Sequence, residues 1–322
     1  MTTTVSPTEV RLEDSLQMPL PNSDCNESGQ HHWQATFKEI VTKFVEDLEY
    51  CPEDPITDEN ATYQAVRSEF STQYDSGNKW FDQMYRTAVT MGEIAKIPNT
   101  TSQLPYPDHA PEIRLEIARF TCFLLHVDDL GKDFNTLEGL QKRIFMGDNS
   151  DGTFLQAFRK HLIGFYQYYD AIQANSITLA AIDCINGMLL EQNDAIRDMK
   201  LSDCSQSWPN YLRNKTGCSA AYAFMLFPKT MNLDLTDYIS VIEDIVFFTN
   251  AVNDILSFYK EYLSGETDTY VFLRARITEK PLDETLRDVV AETLAAHARA
   301  TKVLEAATCT AVTWKRYVNG YL

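Results

Sequence analysis

Between residues 253 and 261 the chain reads NDILSFYKE, which sets an amide, a hydroxyl and a carboxylate (Asn253, Ser257 and Glu261) at steps of four. On a helix that turns about 100° per residue, the three fall within an arc of roughly 80°, stacked over two turns. Lys260 projects about 20° to the other side of Asn253 and shares that face. Ile255, Leu256, Phe258 and Tyr259 point elsewhere and supply an apolar setting. Three oxygen donors in a column suit a hard cation such as Mg²⁺, which is often shared with substrate phosphates. A lysine beside it can hold a phosphate as a point charge. A polar seam with solvated ends has the same spacing, so the column alone leaves both readings open.

A second acidic cluster ends the run PEIRLEIARFTCFLLHVDD at Asp128 and Asp129, with Asp133 close behind. Adjacent carboxylates at the C-terminal end of an apolar helix are opposed by the macrodipole and by desolvation unless something cationic meets them. A solvated helix end explains such a pair in isolation. Two carboxylate clusters on two buried helices can instead face each other and hold several Mg²⁺ ions around a diphosphate.

Positioning these groups requires long helices, and the composition agrees. Of 322 residues, 44% are hydrophobic and only 12 are Gly and 12 Pro, with no run of strict alternation, so the expected class is all-α. The length suffices for one large domain or two small ones, and no interdomain linker or internal repeat divides it. The stretch from Trp33 to Leu48 has apolar residues at helical spacing. Further helical runs are expected at about 77–97, 111–128, 137–146, 152–174, 176–199, 208–227, 235–263 and 282–307, with a last one towards the C-terminus. That makes a single domain of ten or so helices over 33–322, with 111–128 near its middle because its second half is apolar almost all round. Residues 1–32, rich in Ser, Thr, Pro and acid, read as a disordered or loosely packed leader without the features of a signal peptide.

Charge narrows the partners. A formal net charge of −18 and a pI near 4.7 repel nucleic acid and anionic membranes. An anionic substrate would therefore need local cations at its site. Seven scattered cysteines without a C-x-x-C pair read as reduced thiols in a cytoplasmic chain, and no 18-residue apolar run is present to span a membrane.

The residues Asn253-Asp254-x-x-Ser257-x-x-Lys260-Glu261 resemble the metal motif of class I terpene synthases, with Val127-Asp128-Asp129 at the matching place upstream. Within that family the chain is most similar to the trichodiene synthase-like fungal sesquiterpene synthases, over roughly 33–322. The resemblance implies a helical bundle around a central active-site cavity and a Mg²⁺-dependent ionisation of farnesyl diphosphate followed by cyclisation. It implies Mg²⁺ as cofactor, about three ions with bound diphosphate, held by Asp128, Asn253, Ser257 and Glu261. Trp208–Gly217 resembles the stretch with the family's diphosphate-sensing arginine, which assigns Arg213, with Lys260, to the diphosphate. The family repeats an acid four residues after its leading aspartate, whereas here Lys132 stands four after Asp128 and Asp133 four after Asp129. Asp129 and Asp133 are therefore further ligand candidates. The resemblance also admits a homodimer.

A dry pocket with π faces would shelter a carbocation. Phe120, Phe123, Tyr222, Phe224, Phe247 and Phe248 lie near the motifs, but each is better explained as plain core and none is counted among the catalytic residues. Relatives carry an Arg-Tyr pair near the C-terminus that grips diphosphate. Arg316-Tyr317 imitates it, but Tyr317–Leu322 aligns with a stretch that precedes that pair, so the expectation is that Arg316 has no such role and that the chain stops short of the pair. Two rival functions stand beside cyclisation. A chain-elongating prenyl diphosphate synthase would carry a second aspartate-rich motif where this chain has Asn253, Ser257 and Glu261; a catalytically inactive helical binding module would release no diphosphate.

Overall fold

A computed structural model of the chain describes residues 27–51, 64–66, 68–70, 105–130, 137–147 and 153–322; within helices, the side chains of 27–32, 129–130 and 153 are outside that set. The principal helices are α1 (Glu27–Asp47), α2 (Pro111–Leu130), α3 (Leu140–Met146), α4 (Thr153–Tyr168), α5 (Ala171–Gln192), α6 (Asp194–Arg197), α7 (Trp208–Thr216), α8 (Ser219–Met225), α9 (Ile242–Ser264), α10 (Tyr270–Thr278), α11 (Leu282–Leu304) and α12 (Thr308–Tyr321). No strand occurs among the described residues. The helical run expected at 77–97 lies outside them.

Two helices organise the packing. α5 is apolar nearly all round, with Ala174, Ile177, Ala181, Cys184 and Ile185 buried, and it touches α2, α3, α4, α6, α7 and α8. α9 packs most extensively on α11 and also meets α1, α7, α8 and α10. The pair α7–α8 lies against both organisers and so links the two halves. α2, expected near the middle, buries Ile117, Phe120, Cys122 and Phe123 against α4 and α5. α1 lays Trp33 and Phe37 on Phe258, Tyr259 and Tyr262, with the Phe37 and Tyr259 rings stacked at 5.3 Å. Burial of each such ring contributes about 1.5–3 kcal/mol. It covers the apolar side of α9 and leaves the column of oxygens on the opposite side uncovered.

Several boundaries differ from the sequence expectation. α1 begins at Glu27, before the expected boundary near 33. The expected helices 152–174 and 176–199 meet instead at Tyr169-Asp170, where the Tyr169 hydroxyl is drawn to the Met225 carbonyl at 3.0 Å. The expected run 208–227 breaks at Gly217-Cys218. α10 was not anticipated at all. Its sequence YVFLRARIT buries Tyr270, Val271, Phe272, Leu273, Ala275 and Ile277, so apolar residues fall all round and no amphipathic period marks it.

Candidate active site

Helix α9 carries the oxygen column as its spacing predicts. Its buried side holds Ile245, Phe248, Val252, Ile255 and Phe258, while Asn253 is exposed and Ser257 and Glu261 are half-buried. The Ser257 hydroxyl donates to Glu261 Oε1, one turn on, and so fixes the carboxylate along the helix. The helix ends at Gly265, whose φ of 74° gives the left-handed cap that turns the chain towards α10.

Arg213, in the last turn of α7, crosses to this column. Its Nε donates to both carboxylate oxygens of Asp254 at 2.8 and 2.9 Å, and its Nη2 donates to Asn253 Oδ1 at 2.9 Å. The side chains are only 18% and 10% exposed, so the pair is mostly dry. Burial pushes the Asp254 carboxyl up to about 6, and the guanidinium pulls against that, leaving it ionised at neutral pH. Burial opposes the Arg213 charge too, but Asp254 outweighs it and holds the guanidinium above its ordinary value. A bare arginine in so dry a place would be costly; Asp254 is what keeps it there.

Asn253, Asp254, Glu261 and Arg213 open onto one cavity of about 440 Å³, whose walls come from α5, α6, α7, α9 and α10 and include Glu191, Trp208, Leu212, Tyr270 and Leu273. Glu191, at the end of α5, stands at its rim with solvent on one side. Burial on its protein side, then the charge of Asp128, pushes its carboxyl up to about 7, while Arg213 works the other way. Asp128 itself is exposed in the last turn of α2 and is not part of the cavity wall. Glu191 thus feels both Asp128 on α2 and Arg213 on α7. The same reasoning that singles out Asp128, an acid ending an apolar helix, applies to it.

The match to known proteins decides the family. Residues 33–322 match the family model described as Trichodiene synthase (TRI5). The chain belongs to this family. A relative, terpene synthase BipA of Cochliobolus sativus, is 29% identical over 290 residues, covering 88% of this chain and 85% of that protein. Longiborneol synthase CLM1 of Gibberella zeae is 25% identical over 319 residues, covering 94% and 88%. In fold, the chain is similar to the crystal structure of linalool/nerolidol synthase from Streptomyces clavuligerus, with a TM-score of 0.55 at 11% identity over 84% of this chain and 97% of that one. The architecture is therefore the all-α bundle of class I terpene synthases.

Against that family frame, the placement of the remaining sequence-marked residues is uneven. Lys260 is exposed on α9 and outside the cavity wall. Asp129 belongs to the last turn of α2, but its side chain, and Asp133 altogether, lie outside the described residues. Phe120, Phe123, Tyr222, Phe224 and Phe248 are buried and Phe247 half-buried, and none of them lines this cavity. Arg316 pairs with Asp108, both about 39% exposed, while Tyr317 is buried with its hydroxyl 2.8 Å from Thr249 Oγ1. Neither Arg316 nor Asp108 lines the cavity.

Mg²⁺, which the family implies, fits the donors present. Amide, hydroxyl and carboxylate oxygens project from one side of α9, with no sulfur or imidazole among them. Among the described residues no three His, Cys, Asp or Glu side chains converge closely enough to cage an ion by themselves. Such a half-shell suits a cation completed by water and phosphate oxygens rather than one caged by protein alone. The sequence had assigned Asp254 no role; its pairing with Arg213 shows only in three dimensions. Among the described residues no helix is long and apolar enough to cross a membrane.

Proposed function

We propose that the protein is a sesquiterpene synthase that ionises farnesyl diphosphate with Mg²⁺ and cyclises the resulting cation. One observation carries the reading: Arg213, Asn253 and Glu261 face a single cavity of about 440 Å³, with apolar residues beside them. The fixed motif spacing and the family membership support it.

In this mechanism the bond between the allylic carbon and the diphosphate oxygen breaks heterolytically, and its electron pair leaves with the diphosphate. Mg²⁺, when bound, supplies Lewis-acid charge to that leaving group. Asn253, Ser257 and Glu261, with Asp128 from α2, are the oxygen ligands that would hold it. Arg213 donates to diphosphate oxygens in a charge-assisted contact, and Asp254 keeps its guanidinium turned to the site. Lys260 approaches from the outer rim as a point charge. Trp208, Leu212, Tyr270 and Leu273 keep the cavity's apolar side dry, so that the cation rearranges before water adds.

Incubating the purified chain with farnesyl or geranyl diphosphate, with and without Mg²⁺ and isopentenyl diphosphate, tests this by diphosphate release and gas chromatography. Cyclic C15 hydrocarbons or alcohols formed only with Mg²⁺ are expected. A longer prenyl diphosphate would establish elongation, and no diphosphate release from either substrate would leave a binding module.

A further inference from the structure

The break between α7 and α8 is built around a glycine whose missing side chain is already replaced. A Cβ on Gly217 would stand 2.0 Å from Asn250 Oδ1 and 2.8 Å from Arg213 Nη1. Its φ of −74° is ordinary, so space and not backbone conformation demands glycine here. The left-handed turn falls on the next residue, Cys218, at φ 52°. α5 meets the same segment at Gly187, where a Cβ would lie 2.9 Å from the Lys215 and Thr216 backbone.

Asn250 fills the space above Gly217. It is 3% exposed, within the apolar run Phe247-Phe248-Thr249-Asn250-Ala251-Val252 of α9, one turn before Asn253 and Asp254. Its Oδ1 accepts from Ser219 Oγ at 2.5 Å, and its Nδ2 donates to Asn214 Oδ1 at 3.1 Å. Its carbonyl accepts from Arg213 Nη2 at 3.4 Å. One amide thus ties α9 to both sides of the break, Asn214 before and Ser219 after. A carboxylate would lose the donor, and an apolar isostere would remove both bonds, leaving the buried Ser219 hydroxyl only the Gly217 carbonyl at 3.3 Å.

We propose that Asn250 is a positioning residue for Arg213: by clipping the α7–α8 break to α9, it sets where the guanidinium sits relative to Asn253 and Asp254. This rests on the reading of Arg213 as a diphosphate ligand. The geometry gives it a specific object. Nε and Nη2 of Arg213 are held by Asp254, Asn253 and the Asn250 carbonyl, whereas Nη1 lies over Gly217 with no hydrogen bond among the described residues. The break must stay in place for that free donor to keep its direction.

The test uses the full chain with Ser219→Ala, which removes one arm of the clip, and Asn250→Leu, which keeps the shape and removes both. Three quantities are measured: melting temperature, affinity for inorganic diphosphate with Mg²⁺ by calorimetry, and the exchange rate of the Arg213 Nε–H in nitrogen-15 NMR, assigned by its loss in Arg213→Lys. The expected result for Ser219→Ala is at least tenfold weaker diphosphate binding and faster Nε–H exchange, with melting shifted by only a few degrees. Asn250→Leu should exceed it in both. Wild-type Nε–H exchange in a folded Ser219→Ala or Asn250→Leu chain would overturn the proposal. Should the wild-type chain itself ignore diphosphate, the functional reading falls, and the exchange rates still decide whether Asn250 positions Arg213.

Discussion

The two ends of the short helix α8 are held by different chemistry. At its start, Ser219 enters a chain of side-chain hydrogen bonds through Asn250 and Asn214, a few ångströms from the Arg213–Asp254 pair. At its end, the Met225 carbonyl accepts from Tyr169 Oη at 3.0 Å and from His109 Nε2 at 2.7 Å, deep among Tyr106, Phe165 and Phe120. The first end is a mostly buried polar cluster beside the rim of the cavity, where Arg213 and Thr216 stand; the second is a sealed aromatic base. A satisfied polar network beside a cavity can hold donors in place for a ligand, whereas a close-packed base holds the fold. Substitutions should separate along this line: rim changes move activity, with or without stability, and base changes move stability alone.

The largest effects belong to the oxygen column. Glu261→Gln or Asn253→Leu should lower turnover at least about a hundredfold, because the first trades a charged carboxylate ligand for a neutral amide and the second removes an oxygen ligand from a cation that assembles with substrate. Melting should change by only a few degrees, since Asn253 is exposed and Glu261 half-buried. Turnover like wild type in either variant would remove the column from the site.

Next comes Arg213→Ala, which should cost on the order of 2–3 kcal/mol in kcat/KM as charge-assisted bonds to the leaving group vanish. It also strands Asp254, so this rim position should lose about 3 kcal/mol of stability as well. Adding Asp254→Asn should restore stability while leaving kcat/KM low. A double variant that recovered both would show that the pair is structural only.

At the base, burial drops His109 to about 4, with the Met225 carbonyl acting the other way. The folded pKa lies below the ordinary value of 6.5, so the neutral ring's contribution is complete above 6.5 and is lost as pH falls through 4. Over that window the wild-type chain should lose on the order of 3 kcal/mol more than His109→Gln, which keeps an N–H donor but cannot titrate. Urea unfolding at pH 7 and pH 4 measures it, and parallel losses in the two chains would exclude His109 as the titrating group.

How much of this could be read beforehand follows the same division. The column on α9 was legible because its spacing repeats at four, and Arg213 because a local stretch resembles a family motif. The all-α class followed from composition and period. The break at Gly217-Cys218 was not legible, since what it answers to is Asn250, thirty-odd residues on. Nor was α10, whose buried residues surround it on all sides. Asp254 was in plain view within the motif, yet its partner stands 41 residues upstream. Periodicity reports which side of a helix is apolar; it says nothing of which polar group is met by another helix.

The smallest expected effect sharpens the comparison from outside both regions. Arg316 and Asp108 form an ion pair near the start of α2, about 39% exposed on each side. Exposed pairs contribute roughly 0–1 kcal/mol, because solvent screens the charges and long side chains lose freedom in holding them. Arg316 does not touch the cavity, whereas its neighbour Tyr317 is buried against Trp314 and Tyr106. Arg316→Ala should therefore leave diphosphate release unchanged and lower stability by less than about 1 kcal/mol, while Tyr317→Ala should cost several kcal/mol through the aromatic cavity it leaves. Stopped-flow diphosphate release and thermal unfolding of the two variants distinguish them. Loss of release in Arg316→Ala with an intact fold would give Arg316 a place at the diphosphate, and would show that the rim extends to the C-terminal helix.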